Sequence, residues 1–247
     1  MLKEAMLKGK TAVVTGGGTG IGLAAARTLA DEGCRVGIVG RRQDKLRQTA
    51  EAWPGEPPLL YRAVDVADRP SVNELFRWAD EELERVEILV NSAGINVKNR
   101  TMAEMEPEQW DQIMSVNVTG AYNYTHAVLP QIRQRQDGLI INISSNSGKR
   151  ATQLGGVAYS ASKFALGTLG TAVSLEDADH GIRVTTIYPG EVDTPILEHR
   201  PQPVSNAHRA AILQPQDVAD AVLMVARLPA RAQVAEMLII PTRQPYA

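Results

Sequence analysis

The chain has 247 residues, and 26 Lys and Arg against 28 Asp and Glu leave a formal charge of −2. That balance gives no electrostatic case for a nucleic-acid partner, and no apolar run approaches the roughly 18 residues of a membrane span. Cys34 is the sole cysteine, so no internal disulfide can form. The opening residues carry neither an apolar core nor a small-residue cleavage site, and a cytoplasmic protein is expected.

The first strand is expected at 11–15 (TAVVT), and a helix at 21–32. Between them lies Thr15-Gly16-Gly17-Gly18-Thr19-Gly20-Ile21-Gly22, with Gly-x-x-x-Gly-x-Gly spacing. Glycines at a strand-to-helix turn permit positive φ and close approach of backbone to a ligand. The helix start then offers unsatisfied N–H groups and a positive dipole end to a pyrophosphate. A second strand at 35–39 ends in Gly40-Arg41-Arg42, with no carboxylate for a ribose 2′-hydroxyl. Two guanidiniums there suit a 2′-phosphate, so NADP(H) is expected, with NAD(H) the alternative.

A helix at 43–52, a strand at 59–64 and a helix at 71–84 follow, with the acidic stretch 80–87 expected on a solvated helix end. The fourth strand, 88–91, runs into Asn91-Ser92-Ala93-Gly94. One long helix is expected at 107–134, with Asn117 inside it. The strand at 139–143 leads to Ser144 and Ser145, past a carboxyl end where open α/β sheets bind ligands. A serine there can donate to a carbonyl gaining negative charge. The helix at 159–178 opens on Tyr159-Ser160-Ala161-Ser162-Lys163, an i, i+4 pair that sets an ammonium beside a phenol. Such a cation favours the phenolate, and the tyrosine can then move a proton to or from an alcohol oxygen.

A strand at 184–187 precedes Tyr188-Pro189-Gly190; a helix at 216–228 and a strand at 237–240 close the chain. Segment 191–215 holds four prolines between strand and helix and is expected to be a substrate lid. Alternating strands and helices predict an α/β fold: one Rossmann-type, doubly wound parallel sheet flanked by helices, a single dinucleotide-binding domain over 1–247.

Taken in order, TGGGTGIG, NSAG, Ser145 with Gly148, YSASK and YPGEVDT resemble the motifs of the classical short-chain dehydrogenase/reductase family, and the resemblance covers essentially the whole chain. It implies Tyr159 as general acid/base, Ser145 orienting the substrate oxygen, and Lys163 lowering the tyrosine pKa and holding the nicotinamide ribose. It implies that Asn117 holds a proton-relay water. For the cofactor it implies Gly16, Gly18, Thr19, Gly20 and Ile21 at the pyrophosphate and Arg41 and Arg42 at the 2′-phosphate. Asp65 and Val66 belong at the adenine, and Asn91, Ala93 and Gly94 at the adenosine ribose. Pro189, Gly190, Val192 and Thr194 belong at the nicotinamide end.

Three departures from the family pattern stand out. Ser92 replaces an Asn, and Ser145 lies fourteen residues before Tyr159, one more than usual, with Ser144 the fallback. The tail MLIIPTRQPYA is similar to those of members acting on 3-hydroxy acids and serine-like alcohols. The expected activity is therefore NADP(H)-dependent interconversion of a secondary alcohol and a ketone, on a 3-hydroxy or 3-oxo acid or similar small substrate. The alternatives are a 3-oxoacyl-carrier-protein reductase and a non-catalytic dinucleotide-binding sensor or scaffold.

No Cys/His cluster has metal-ligand spacing, and no metal is expected. His199 and His208 are expected in solvent, His126 packed or partly exposed, and His180 at a helix end. Ala161, Ala165, Leu169 and Val173 form an apolar stripe that predicts a homotetramer or homodimer.

Overall fold

The computed structural model describes residues 6–244. The first five residues, part of the stretch expected to hold no cleavage site, and the last three of the tail lie outside the described residues. Seven strands form one sheet: β1 (Thr11–Thr15), β2 (Arg35–Gly40), β3 (Leu59–Ala63), β4 (Ile88–Asn91), β5 (Gly138–Ile143), β6 (Ile182–Pro189) and β7 (Glu236–Ile239). Their order is β3-β2-β1-β4-β5-β6-β7, and every pair is parallel.

The central strands are apolar nearly throughout because both faces are covered. Side chains alternate between the two faces. Ala12 and Val14 of β1 face one core, where Ala26 and Leu29 of α1 (Gly20–Asp31) meet Val218 and Val222 of α8 (Pro215–Ala226). Val13 faces the other, with Leu75 of α3 (Arg69–Leu83) and Tyr124 of α5 (Gly120–Arg135). The β1 strand pairs with β2 on one side and β4 on the other, so the chain leaves it in opposite directions. The crevice opens where those directions part.

Four expectations need correction. The helix expected at 107–134 is broken: α4 (Pro107–Met114) passes through one π-helical turn, Ser115–Thr119, before α5. Gly120, just past the turn, packs closely, since a Cβ on it would fall 2.6 Å from Val66 Cγ2. Such bulges are frequent at functional sites, and Asn117 sits in this one. Next, Glu87 ends the acidic stretch buried rather than solvated: it accepts from Lys10 Nζ at 2.8 Å and from Thr11 N at 3.1 Å.

No helix or strand is expected within the lid segment 191–215, yet it carries two helical elements. It contains a 3₁₀ turn, Pro195–His199, and α7 (Asn206–Ala211), capped by Ser205, which accepts from His208 N. Finally, Leu169 and Val173 pack on the chain's own core, so the predicted stripe is partly consumed at home. What α6 (Val157–Glu176) exposes instead is Val157, Phe164 and Leu175.

Candidate active site

A cleft of about 870 Å³ runs along the carboxyl ends of the central strands. One end is the glycine turn. Gly16 has φ +66°, and a Cβ on Gly22 would lie 2.5 Å from Gly16 O, so backbone alone fills this corner. Thr19 caps α1 in extended conformation without a side-chain hydrogen bond, which leaves the first-turn N–H groups for a ligand. Arg41 and Arg42, at the end of β2, are exposed on the cleft rim. Lys45 of α2 (Gln43–Glu51) joins them, a third cation that no motif marked.

Val64 and Val66 line the next stretch, with Ala93 and Gly94 opposite. Asp65 and Asn91 do not line it. Asp65 faces solvent and accepts from Ala67 N at 3.0 Å. Asn91 is buried behind the wall, donating to Asn142 Oδ1 at 3.0 Å and Thr125 Oγ1 at 3.3 Å. Asn91 thus supports the wall from behind, while the Asp65 carboxylate stands in solvent between the two lining valines. The turn after β4 is held by Thr15, whose Oγ1 accepts from Ser92 N at 2.9 Å and Ala93 N at 3.0 Å. Nothing in the sequence motifs marks this second role of Thr15.

At the far end Ser145, Tyr159 and Lys163 come together. Ser145 Oγ donates to Asn146 Oδ1 at 3.1 Å and accepts from Ser147 N at 3.1 Å, close enough to the Tyr159 phenol to favour its ionised form. Ser144 is engaged elsewhere, its Oγ donating to Lys163 O at 2.9 Å. The Lys163 Nζ donates to Ile143 O at 2.9 Å and stands 5.5 Å from the Tyr159 ring centroid.

The electrostatics differ from the sequence expectation. Burial pulls Lys163 down to about 8 and pushes Tyr159 up, and the groups that oppose the rise at Tyr159 are Ser145 and the Arg100 guanidinium. Desolvation disfavours whichever form is charged, so it moves an acid and a base in opposite directions.

Asn117 braces this end rather than facing it openly. Its Oδ1 accepts from Ile95 N at 2.8 Å, and its Nδ2 donates to Ile95 O at 3.1 Å and Ser162 Oγ at 3.0 Å. A Cβ on Gly94 would sit 3.4 Å from Lys163 Nζ and 3.6 Å from Asn117 Oδ1, so all three meet there. Pro189, Gly190, Val192 and Thr194 form the wall after β6. His199 also lines the cleft, and His208 Nε2 lies 2.6 Å from Glu191 Oε2, so neither is simply solvated. His126 is exposed and stacks on Tyr122, while His180 Nδ1 lies 3.3 Å from Asp177 Oδ1.

Arg100, in the loop after β4, is the residue that sequence reasoning missed most completely. It is 7% exposed and lines the cleft. Among the described residues, no group of three or more His, Cys, Asp or Glu side chains could hold a metal ion, and no helix is long and apolar enough to cross a membrane.

An extended dinucleotide suits this cleft on its own features: a side-chain-free corner at a helix start, cations at one rim, and a lysine, tyrosine and serine at the other end. The short chain dehydrogenase family model matches residues 10–204, and the chain belongs to that family. It is an NAD(P)-dependent oxidoreductase acting on CH–OH groups. An uncharacterized oxidoreductase of Staphylococcus aureus (strain MRSA252) is 34% identical over 236 residues, covering 96% of this chain and 99% of the relative. Among solved structures, the closed form of a serine dehydrogenase complexed with NADP+ is 28% identical with TM-score 0.88, covering 96% of this chain and 97% of that one. A 3-ketoacyl-(acyl-carrier-protein) reductase from Brucella melitensis complexed with NADH is 28% identical with TM-score 0.87, covering 96% and 99%.

Proposed function

We propose that this protein interconverts a secondary alcohol and a ketone with NADP(H), using Ser145, Tyr159, Lys163 and Asn117. The observation that carries the reading is the meeting of a serine, a tyrosine and a buried lysine at one end of a cleft whose other rim presents Arg41 and Arg42. The nicotinamide, when bound, supplies or accepts the hydride at the substrate carbon.

Ser145 Oγ orients and polarises the substrate oxygen. In the reducing direction the Tyr159 hydroxyl gives its proton to that oxygen; in the oxidising direction the phenolate takes the hydroxyl proton back. Lys163, held on Ile143 O, reaches the nicotinamide ribose and favours the phenolate once a ligand closes the site. Asn117, in the π-helical turn, holds the water through which the proton returns to solvent.

Gly16, Gly18, Thr19, Gly20 and Ile21 receive the pyrophosphate through backbone N–H groups. Val66 packs on the adenine, Ala93 and Gly94 on its ribose, and Pro189, Gly190, Val192 and Thr194 border the nicotinamide. Segment 191–215 serves as the substrate lid. A 3-hydroxy or 3-oxo acid is the substrate class in keeping with this reading. The test is a panel of ketones and secondary alcohols, followed by the absorbance of the reduced cofactor. Cofactor binding without turnover of any member would overturn the reading in favour of a dinucleotide-binding sensor.

A homodimer or homotetramer belongs to the same proposal. The exposed Val157, Phe164 and Leu175 of α6 are joined by Trp110 on α4 and Tyr122 on α5, all large apolar side chains in water. Burying one such side chain is worth about 1.5–3 kcal/mol. Light scattering at micromolar concentration should give a multiple of the 26.8 kDa chain mass, and Phe164→Glu should shift it toward one copy. A monomeric wild type would sink the idea.

A further inference from the structure

The substrate end of the cleft is short of negative charge. Arg100 is almost wholly buried, and its guanidinium is held by backbone carbonyls: Nε donates to Val97 O at 2.8 Å, Nη2 to His199 O at 2.9 Å, and Nη1 to Leu154 O. These acceptors are neutral. A second guanidinium, Arg200, is near enough to repel it electrostatically. Arg200 is itself only 13% exposed at the side chain. Two carboxylates line this end: Glu198 is exposed, and Glu191 accepts from Arg200 Nη2 at 2.9 Å and also contacts His208. Arg200 thus shares its carboxylate with an imidazole, while the three hydrogen bonds of Arg100 all go to neutral carbonyls.

A buried cation without a counter-charge is costly, and the cost disappears when an anion arrives. Arg100 has five N–H donors, of which three are used, so two remain for a ligand in the cleft it lines. The position relative to the chemistry is fixed. Val157 N donates to Arg100 O at 3.0 Å, two residues before Tyr159, and a Cβ on Gly156 would meet Arg100 Cβ at 2.6 Å. The Arg100 backbone is thereby locked to the start of the catalytic helix, and its charge is near enough to act on the Tyr159 phenol.

We propose that Arg100, seconded by Arg200, is an anion subsite, so that the preferred substrate is a small alcohol or ketone carrying a carboxylate or phosphate close to the reacting carbon. This rests on the oxidoreductase reading above and specifies its substrate. Arg100 acts as a specificity-determining residue, since it holds the end of the substrate that does not react. Ile196 and Leu197 complete the subsite with apolar surface over a short carbon chain.

The experiment compares 3-hydroxy acids of three to six carbons with their methyl esters, and glycerol 3-phosphate with glycerol. Each is measured by kcat/KM and by calorimetric binding to NADP+-loaded protein. The wild type should favour the better of the two anion types over its neutral partner by at least tenfold, and the better type identifies the source of the charge. In Arg100→Met the acid-to-ester ratio should fall toward one, chiefly through KM. Arg100→Lys should keep part of the ratio, and Arg200→Gln should reduce it less.

A purely structural role for Arg100 would instead lower both members of each pair together. Thermal melts and NADP+ binding check that each variant folds; if Arg100→Met does not fold, Arg100→Lys and Arg200→Gln carry the comparison. Equal handling of anion and neutral partner by the wild type, or binding of neither, overturns the subsite while leaving the oxidoreductase reading intact. Selective binding of the anions without turnover would support the subsite and count against the activity.

Discussion

Tyr159→Phe is expected to cut turnover by about 10²–10⁴-fold, the usual worth of a positioned general acid/base. The substitution keeps the ring in its packing and removes one hydroxyl. With it goes the donor that reaches the substrate oxygen. Cofactor affinity, followed by the fluorescence of bound NADPH, should fall far less, because the glycine turn and the arginine rim are untouched. Burial holds the phenol above its ordinary range, so the wild type should oxidise alcohols faster as pH rises, and the variant should lose that dependence. A loss below about tenfold would remove Tyr159 from its proposed role.

Arg41→Ala should weaken NADPH binding by about ten- to a hundred-fold. A charge-assisted hydrogen bond contributes about 1.5–3 kcal/mol, and each 1.4 kcal/mol is a factor of ten. Arg41 is exposed, and Arg42 and Lys45 line the same rim, so the lower half of that range is the expectation. NADH has no phosphate there and should bind variant and wild type alike. Raising the salt concentration should narrow the difference, since an exposed contact is screened. Equal losses for both cofactors would mean that Arg41 stacks on the adenine. A wild type that prefers NADH would overturn the cofactor assignment.

What could be read from the sequence was mostly what neighbours along the chain decide. The seven strands, the glycine turn and the Tyr159–Lys163 pair all depend on local periodicity, and the structure keeps them. Where distant parts of the chain meet, the reading failed. Gly120 at the start of α5 packs on Val66, some fifty residues earlier, a contact that local periodicity does not register. Arg100 bonds carbonyls 54 and 99 residues away, and nothing in its own neighbourhood announces it. Asn91 was assigned to the cleft because it belongs to a recognisable motif. Its side chain instead points between β5 and α5, a choice made by the pleat and not by the motif.

The pKa pattern was misjudged for a related reason. An i, i+4 spacing says that an ammonium is near a phenol, but not how much water either keeps. Both groups lose most of theirs in the fold, and dehydration then sets the direction in which each moves.

The strand order also bears on how the chain can be put together as it leaves the ribosome. The β1 strand, made first, lies inside the sheet; β2 joins one side of it and β3 follows outward. The β4 strand then takes the vacant side of β1, and β5, β6 and β7 each add to the strand made just before. No hydrogen-bonded pair ever has to reopen to admit a later strand. Growth in synthesis order needs only edge addition, which spares a parallel sheet some of the search that makes non-local pairing slow. The phosphate corner can thus be built from the first half of the chain, before the serine, tyrosine and lysine have been translated.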